Sequence, residues 1–330
     1  MNYNAALLHA LAPGRLVSGE ALGRELGVSR AAVWKAVQRL GALGLDIEAL
    51  PGRGYRLAQP LSLLDADAVR AALPAAIAAR LAVLEVLAET DSTNTRVLAT
   101  GRAVGELVAC LAEYQAAGRG RRGRLWLSPP GAGICLSVGG RVPAAPSDFA
   151  SLSPAVGVAC AEALEALGAP AISLKWPNDL LLGGGKLGGI LIELRGESQG
   201  PATVAVGVGL NMRLGPAARA SIFAGGGLPP ADLADVPHGS LGDRNAVAAA
   251  LLAAIAGCLD AAPAGLGDEV LHGWRRRDWL RDRPVRVDDA GAGRFGIARG
   301  LDRSGALLLE SADGSRQRVT AGEVTLRVAG

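Results

Sequence analysis

Histidine and cysteine are scarce in this sequence of 330 residues, which has three of the first and four of the second. The cysteines stand singly in apolar surroundings, with no C-x-x-C pair, at Cys110, Cys135, Cys160 and Cys258. This scarcity argues against a disulfide framework and against a zinc site. It predicts thiols that behave as buried hydrophobic groups.

Long apolar runs and low-complexity polar tracts are also missing. The longest uncharged apolar stretch, Ala246 to Leu259, ends at Asp260, well short of the ~20 residues that cross a bilayer. No basic segment precedes Leu7 and Leu8, which argues against a secretory signal. We therefore expect a folded, soluble, cytoplasmic protein with no membrane partner and with two or three domains.

Charge of one sign hardly exceeds the other, since the net charge is +3. Residues 1–58 contain seven Lys and Arg against four Asp and Glu, whereas residues 59–330 contain 27 of each. The positive excess therefore lies in the first segment. It indicates a polyanionic partner for that segment, although an ordinary solvated surface would have the same count.

Lysine is the rarest of the charged residues, because only Lys35, Lys175 and Lys186 accompany 31 arginines. A chain so biased toward arginine has replaced most replaceable lysines. The three that remain are candidates for positions that need a compact, rotatable ammonium instead of a planar guanidinium.

The first 58 residues have the pattern of a winged helix-turn-helix. Asn4 to Leu11 is predicted as a helix, Ser18 caps a second helix that stops at Gly27, and Ser29 caps a third. In the third helix the apolar residues recur at i, i+3, i+4 and i+7, at Val33, Ala36, Val37 and Leu40. The strands Asp46 to Leu50 and Tyr55 to Ala58, joined by a turn that contains Arg53, form the wing.

This pattern predicts a DNA-binding surface on the opposite side of the third helix and on the wing. The residues expected there are Ser29, Arg30, Lys35, Gln38 and Arg53. A small packing domain without nucleic acid is the alternative, and the charge asymmetry favours DNA.

Beyond a linker at Gln59-Pro60, strands and helices alternate without regular crossovers, which predicts an α+β fold with a mixed sheet over residues 62–280. A helix from Ser62 to about Leu73 opens this domain. Short alternating segments punctuated by Gly and Asp over residues 281–330 predict a small β-barrel.

The segment Gly118-Arg-Gly-Arg-Arg-Gly123 matches the dinucleotide fingerprint, but its context does not. Leu125 and Trp126 run into Pro129-Pro130 instead of opening a helix, and no Walker lysine follows. What remains is a glycine-rich loop with four arginines, which suits a phosphate or a carboxylate. A solvated surface loop is the alternative.

Two other segments combine turns with polar side chains. Lys175-Trp-Pro-Asn-Asp179 ends a strand, and Lys186-Leu-Gly-Gly189 begins the next. The carboxylate and amide at the end of the first are oxygen ligands that suit Mg²⁺ together with substrate phosphates, or they form a structural turn. Asp91-Ser-Thr-Asn94 enters a helix, where its polar groups converge either on a ring ligand or simply on a helix cap.

Together these segments resemble the biotin protein ligases. The resemblance extends over five motifs in order: Asp91-Ser-Thr-Asn94, Glu113-Tyr-Gln115 with the Gly118 loop and Trp126, Lys175-Trp-Pro-Asn-Asp179, Lys186-Leu-Gly-Gly-Ile190 and Gly207-Val-Gly-Leu-Asn211. The N-terminal segment and the tail near Gly305-Ala-Leu-Leu-Leu-Glu310 resemble the bifunctional members that repress the biotin operon. The likeness covers nearly the whole chain.

The resemblance implies a biotin/lipoate ligase-like central domain, an SH3-like C-terminal barrel, and ATP-dependent activation of biotin to biotinyl-5′-adenylate. The biotinyl group would then pass to a lysine of the biotin carboxyl carrier protein of acetyl-CoA carboxylase. ATP and Mg²⁺ are the implied cofactors, and biotin is both substrate and precursor of a corepressor. Operator DNA and a second copy of the adenylate-bound chain are the other implied partners.

The resemblance also implies roles for particular residues. Biotin would be held by Ser92, Thr93, Asn94, Gln115, Arg119, Gly120, Arg121, Lys186 and Gly188. ATP would be held by Gly118, Arg119, Arg121, Trp126, Asn178, Lys186 and Asn211. The catalytic residues would be Lys186, Arg121 and Asp179, and Asp179 would also help to orient Mg²⁺ or the acceptor lysine.

One segment departs from the family pattern. Residues 213–234 replace the loop that closes on the adenylate, and Phe223 is the only aromatic residue there. Two other functions stay open at this point: a ligand-sensing transcription factor without ligase activity, and a lipoate ligase.

Overall fold

The N-terminal unit is three helices followed by a two-stranded hairpin. Ser18 and Ser29 cap the second and third helices, each accepting a hydrogen bond from the amide three residues on. Gly27 ends the second helix at a φ of 66°, a conformation that favours glycine. The elements are α1 Tyr3–Leu11, α2 Gly19–Leu26, α3 Arg30–Ala42, β1 Ile47–Leu50 and β2 Gly54–Leu57. These are the elements of the predicted winged helix-turn-helix.

This computed structural model describes residues 3–101, 103–145, 149–196, 200–235, 241, 243–261, 265–289, 292–320 and 323–326. Within that range the N-terminal unit has an apolar cluster of its own, in which the predicted arc of α3 packs on α1, α2 and β2. Its buried members are Leu7, Leu11, Leu22, Val33, Ala36, Val37, Leu40 and Leu57.

A seven-stranded mixed sheet forms the central unit, with the strand order β3-β4-β5-β9-β8-β7-β6. Only β3 and β4 pair in parallel, and the other ladders are antiparallel. The strands are β3 Leu81–Leu87, β4 Leu107–Ala112, β5 Gly133–Val142, β6 Ser173–Lys175, β7 Asp179–Leu182, β8 Gly185–Arg195 and β9 Ala202–Asn211. The α+β prediction is confirmed, and β7 is a strand that the sequence pattern did not predict.

Helices cover both faces of this sheet. Helices α7 and α9 pack on one face and α6 on the other. The helices are α4 Ala66–Ala71, α5 Ala75–Arg80, α6 Thr93–Ala99, α7 Leu152–Ala166, α8 Pro216–Ala224, α9 Arg244–Ala261 and α10 Asp268–Arg277. Of these, α9 is long and apolar enough to cross a membrane, but half of it is buried, and it packs against α7 and β5 in the core.

The prediction of a helix opened by Ser62 is wrong. Asp65 caps α4 instead, accepting a hydrogen bond from the Ala68 amide at 2.8 Å. The preceding residues stay extended because their backbone is bonded elsewhere: Arg244 donates to the Ser62 carbonyl, and the Leu64 amide donates to Glu113. The linker therefore extends to residue 64, and its residues 62–64 are fixed to the central unit.

The C-terminal unit is a five-stranded antiparallel sheet with the order β13-β12-β11-β10-β14. Its strands are β10 Pro284–Asp289, β11 Ala292–Leu301, β12 Leu307–Glu310, β13 Arg316–Val319 and β14 Glu323–Leu326. The end of the predicted last strand, residues 327–328, lies outside the described residues. Side chains such as Val285, Leu307 and Val319 belong to the same apolar cluster as the central sheet, so these two units share one core.

Three of the four cysteines are buried and Cys258 is half-buried. Burial raises the pKa of the Cys110 and Cys135 thiols to about 12. These thiols stay protonated at neutral pH, as expected of hydrophobic packing residues.

Candidate functional site

A cavity of about 700 Å³ opens on the α6 face of the central sheet. Residues of all five sequence motifs line it, although those motifs span residues 91–211 of the chain. From the predicted set the lining residues are Ser92, Thr93, Asn94, Gln115, Arg119, Gly120, Arg121, Trp126, Asn178, Asp179, Lys186 and Asn211. Gly118 and Gly188 are not on its wall.

One end of the cavity is a set of buried polar groups at the start of α6. The Gln115 Oε1 atom accepts hydrogen bonds from the Thr93 amide at 2.8 Å and from the Thr93 hydroxyl at 3.1 Å. The Ser92 amide donates to Asp91 at 2.7 Å, which holds the pKa of that carboxyl below its usual range. Asp91 therefore stays ionised and fixes the turn into the helix.

Sequence reasoning missed two residues that hold this end in place. Ser137, fully buried on β5, lies 2.7 Å from the Thr93 hydroxyl and 2.6 Å from Asn94 Oδ1. Glu193 on β8 accepts from Asn94 Nδ2 at 2.8 Å and from Arg119 at 3.2 Å. A serine in a continuously apolar strand was the available signal for Ser137, because a buried hydroxyl needs a partner.

Two glycines of β9 provide the space for neighbouring side chains. A Cβ on Gly207 would lie 2.5 Å from Asn94 Oδ1, and one on Gly209 would lie 2.4 Å from Trp126 Cε2. The Trp126 indole therefore lies directly against the backbone of β9. Similarly, a Cβ on Gly118 would lie 2.6 Å from the Trp126 carbonyl oxygen, so Gly118 shapes the loop without lining the cavity.

Lys186 and Asp179 form an ion pair on the cavity wall, with 2.7 Å between Nζ and Oδ1. Their ladder contains a bulge, because Leu181 pairs with Lys186 but Leu180 pairs with Gly188. Leu187 is thus an extra residue, and it shifts the alternation of β8 by one position. As a result Gly189, and not the predicted Gly188, shares a face with Lys186 and borders the ion pair.

The cavity wall also contains two buried polar atoms that have no hydrogen-bond partner among the described residues. These are Asn211 Oδ1 and Trp126 Nε1. The amide nitrogen of Asn211 is already used, since it donates to the Ala231 carbonyl at 3.0 Å. One unpaired acceptor and one unpaired donor indicate that a polar ligand binds beside Asn211 and Trp126.

The arginine loop is partly anchored to its surroundings. Arg119 contacts Glu193 and also donates to Thr95 at 3.0 Å. Arg122 has a φ of 56° and donates to the Asp288 carbonyl of the C-terminal unit at 3.1 Å. The loop therefore connects the cavity to β10.

The C-terminal unit and the α8 segment complete the cavity. Trp279 and Val324 line it, as do Ile222 and Leu228. Residues 213–234 are not simply a loop, because they include α8, and Phe223 is 57% exposed and does not line the cavity. Ile222 and Leu228 belong to residues 213–234, the segment singled out in the sequence, whereas Trp279 and Val324 belong to no predicted site.

Comparison with known proteins agrees with this geometry. Residues 86–211 match the model of the biotin/lipoate A/B protein ligase family, residues 5–56 match an HTH domain, and residues 282–327 match the biotin protein ligase C terminal domain. The chain is 40% identical to the bifunctional ligase/repressor BirA of Salmonella typhimurium over 98% of its own length and 97% of that protein's. The chain belongs to the biotin protein ligase family.

Other members of the biotin protein ligase family are also similar to this chain in sequence and in fold. The bifunctional ligase/repressor BirA of Escherichia coli is 39% identical over 98% of this chain and 97% of its own. The structure of the biotin protein ligase from Aquifex aeolicus in complex with biotin and ATP superposes with a TM-score of 0.60 at 25% identity. That match covers 76% of this chain and all of the other.

No cluster of three or more metal-binding side chains occurs in the described ranges. Asp179 is the one candidate, and its carboxylate already pairs with Lys186. A single carboxylate that completes its shell with water and substrate phosphates is an ordinary arrangement for Mg²⁺. The donor set of this ligase therefore fits a substrate-bound Mg²⁺ better than a permanently held one.

The helix-turn-helix unit of this ligase presents its predicted DNA-binding residues to solvent. Ser29, Arg30, Lys35, Gln38 and Arg53 are all exposed. The Ser29 hydroxyl accepts the capping hydrogen bond from the Ala32 amide at 3.2 Å, so it also orients the start of α3. Sequence periodicity found this surface because the buried arc of α3 fixes the exposed one.

Proposed function

We propose that this chain activates biotin with ATP to biotinyl-5′-adenylate and pyrophosphate, and then transfers the biotinyl group to a lysine of a biotin carboxyl carrier domain. The observation that carries the proposal is the meeting of all five ligase motifs in one cavity. The 40% identity to a bifunctional ligase/repressor over nearly the whole chain supports it independently. It also supports a second role as a biotin-responsive repressor.

The polar end of the cavity is the proposed biotin-binding end. Thr93, Asn94 and Gln115 form a network held by Ser137 and Glu193, so the donors and acceptors for a ureido ring are fixed before the ligand arrives. Such preorganisation lowers the free-energy cost of binding. The unpaired atoms of Asn211 and Trp126 are the proposed hydrogen-bond partners of the nucleotide.

Lys186 lines the same cavity, where its backbone carbonyl accepts a hydrogen bond from Asn211 at 3.3 Å, and it is the proposed electrostatic catalyst. In the first step a carboxylate oxygen of biotin bonds to the α-phosphorus of ATP, and the bond from that phosphorus to pyrophosphate breaks. Two anions must approach each other, so a fixed cation between them stabilises the transition state. Arg121 on the loop would add to this positive charge, and Mg²⁺ bound to the phosphates near Asp179 would neutralise the leaving group.

In the second step the acceptor amine attacks the carboxyl carbon of the adenylate, and AMP leaves. The ammonium of the acceptor lysine releases one proton to solvent before the attack, and its nitrogen releases a second as the bond to AMP breaks. Asp179 lines the cavity beside Lys186. We propose that its carboxylate orients the acceptor lysine. The carrier protein of acetyl-CoA carboxylase is the proposed acceptor.

Three units would divide the work: residues 1–58 for operator DNA, 62–280 for catalysis and 281–330 for closing the cavity. We also infer a cytoplasmic location, because ATP and operator DNA are found there. The adenylate-bound form is proposed to be a homodimer, since helix-turn-helix proteins commonly read two half-sites. The outer edge of β3, at one end of the central sheet, is available for a second copy.

Pyrophosphate exchange tests the enzymatic function. The full chain is incubated with ATP, Mg²⁺ and labelled pyrophosphate, with either biotin or lipoate. We expect exchange with biotin and little with lipoate. Exchange with lipoate alone would make the protein a lipoate ligase, and exchange with neither would leave a sensor of small molecules.

A further inference from the structure

Trp34 is an apolar side chain that the fold leaves in solvent. Of the five tryptophans, the other four are buried or half-buried, whereas Trp34 is 54% exposed. It lies on α3 but not on the buried arc, which consists of Val33, Ala36, Val37 and Leu40. The core of the unit therefore does not account for this residue.

The neighbours of Trp34 on the helix are polar. Arg30, Trp34 and Gln38 follow each other at intervals of four residues, so their side chains form one row along α3. Arg39 lies about 140° around the helix from Trp34, and it pairs with Glu89 of the central unit at 3.2 Å. The contact with the central unit is thus on the other flank, and the Trp34 row faces away from it.

The surroundings of Trp34 distinguish between possible partners. Among the described residues of the N-terminal unit it is the only large hydrophobic side chain that is exposed. A docking surface for a protein or a membrane would need a contiguous apolar patch. A single indole between Arg30 and Gln38, in the unit with the excess of positive charge, instead suits the major groove of DNA.

The major groove contains one apolar feature, the 5-methyl group of thymine. We propose that Trp34 reads a thymine in each operator half-site by packing its indole against that methyl group. Arg30 and Gln38 then contact the positions on either side. This specificity role rests on the proposed repressor function.

The test begins with selection of bound duplexes from a random library by the full chain, with biotin, ATP and Mg²⁺ present. Each thymine of the selected consensus is then replaced by uracil, which pairs normally but lacks the methyl group. We expect uracil at one position of the half-site to weaken binding about fourfold, the value for one buried methyl-sized group. At the other positions the replacement has little effect.

Trp34→Ala is combined with the thymine-to-uracil replacement in a double-mutant cycle. This variant binds the thymine duplex more weakly than the wild type, and it no longer distinguishes thymine from uracil at that position. Phe295→Ala removes another exposed aromatic, 51% exposed on β11, and is the matched control that keeps the discrimination. Thermal unfolding and far-UV circular dichroism that match those of the wild type show that the N-terminal unit of the variant is folded, since this unit has an apolar cluster of its own.

Two results would overturn the assignment: thymine and uracil duplexes that bind the wild type equally at every position, or a Trp34→Ala variant that still discriminates between them. If the library yields no preferred sequence while ligation proceeds normally, the repressor function fails as well. The two failures are therefore distinguishable.

Discussion

At the scale of single residues, Lys186 shows how little freedom the site allows. Its ammonium lies 2.7 Å from one oxygen of Asp179 and borders Gly189, where a Cβ would come within 3.7 Å of Nζ. Arginine keeps the charge but spreads it over a planar fork, so the charge is displaced by more than the ~0.5 Å that a preorganised site tolerates.

We therefore expect Lys186→Arg to lose adenylate formation almost as severely as Lys186→Ala. The loss should be about 2.7 to 4 kcal/mol in the barrier, as for removal of one oxyanion-hole donor. Biotin affinity should fall much less, since Thr93 and Gln115 still hold the ring. Single-turnover adenylate formation at saturating biotin and ATP measures the first effect, and direct biotin binding measures the second.

Lys35→Arg is the matched control, because it makes the same exchange on the exposed side of α3. It should leave the single-turnover rate unchanged. A Lys186→Arg variant with a rate near that of the wild type would reduce Lys186 to a generic cation and would remove its bridging role.

At the scale of elements, the wing offers two arginines in different situations. Arg53 is exposed at the tip of the hairpin, whereas Arg56 on β2 is paired with Glu48 at 2.7 Å. A phosphate contact by Arg53 releases one counterion when DNA binds. Arg53→Ala should therefore reduce the slope of log affinity against log salt concentration by ~1.

Arg56→Ala is the control on the same hairpin. Its charge is already balanced by Glu48, so the salt slope should stay close to that of the wild type. Equal slopes for wild type and Arg53→Ala, measured by titration of an operator duplex at several salt concentrations, would place the wing outside the interface.

A second element-scale contact fixes the linker to the sheet. Arg244 and Glu113 form an ion pair at 2.8 Å in which both side chains are only 5% exposed, and both bond the linker backbone. Arg244→Met leaves Glu113 buried without its cation. We expect a loss of about 3 to 5 kcal/mol in the free energy of unfolding, measured in urea.

The exposed pair of Arg80 and Asp260 is the comparison, with side chains 35% and 52% exposed. Arg80→Met should cost about 1 kcal/mol or less, because solvent screens such pairs. Equal losses in the two variants would show that burial does not decide the energy of the Arg244 pair.

These elements also show what the sequence could predict. The buried arc of α3 follows from helical periodicity and capping residues, and the turn at Asp91-Ser-Thr-Asn94 predicts the start of α6. Helix α8 was not predicted, because only Ala218 of its nine residues is buried and its sequence therefore has no apolar periodicity. Gly188 entered the expected biotin set through the family resemblance, whereas the pairing with β7 contains a bulge that puts Gly189 beside Lys186.

At the scale of the whole molecule, the N-terminal unit differs from the C-terminal one in how it is held. It has its own apolar cluster, and its Arg39 pairs with Glu89 of the central unit at 3.2 Å. The C-terminal strands share the core of the central sheet, and the Trp176 indole donates to the Gly305 carbonyl at 3.0 Å. We propose that the first unit is separable and that the other two are not.

We therefore expect a chain of residues 59–330 to keep biotin ligation and to lose operator binding. Every proposed catalytic and substrate-binding residue lies at Ser92 or beyond, and the anchored linker remains. Single-turnover transfer to a carrier domain and a gel-shift assay measure the two activities. A truncated protein that unfolds at the wild-type temperature but transfers biotin more than tenfold more slowly would contradict this modularity.

The contact between Gly209 and Trp126 also constrains how this protein can evolve. While the indole lies against β9, every replacement of Gly209 puts an atom inside it. Trp126 must become smaller before position 209 can change. Once position 209 has gained a side chain, the indole cannot return until that change is reversed. The order of mutations is thus fixed by geometry, and a lineage that has passed through both steps can return only by the same steps in reverse order.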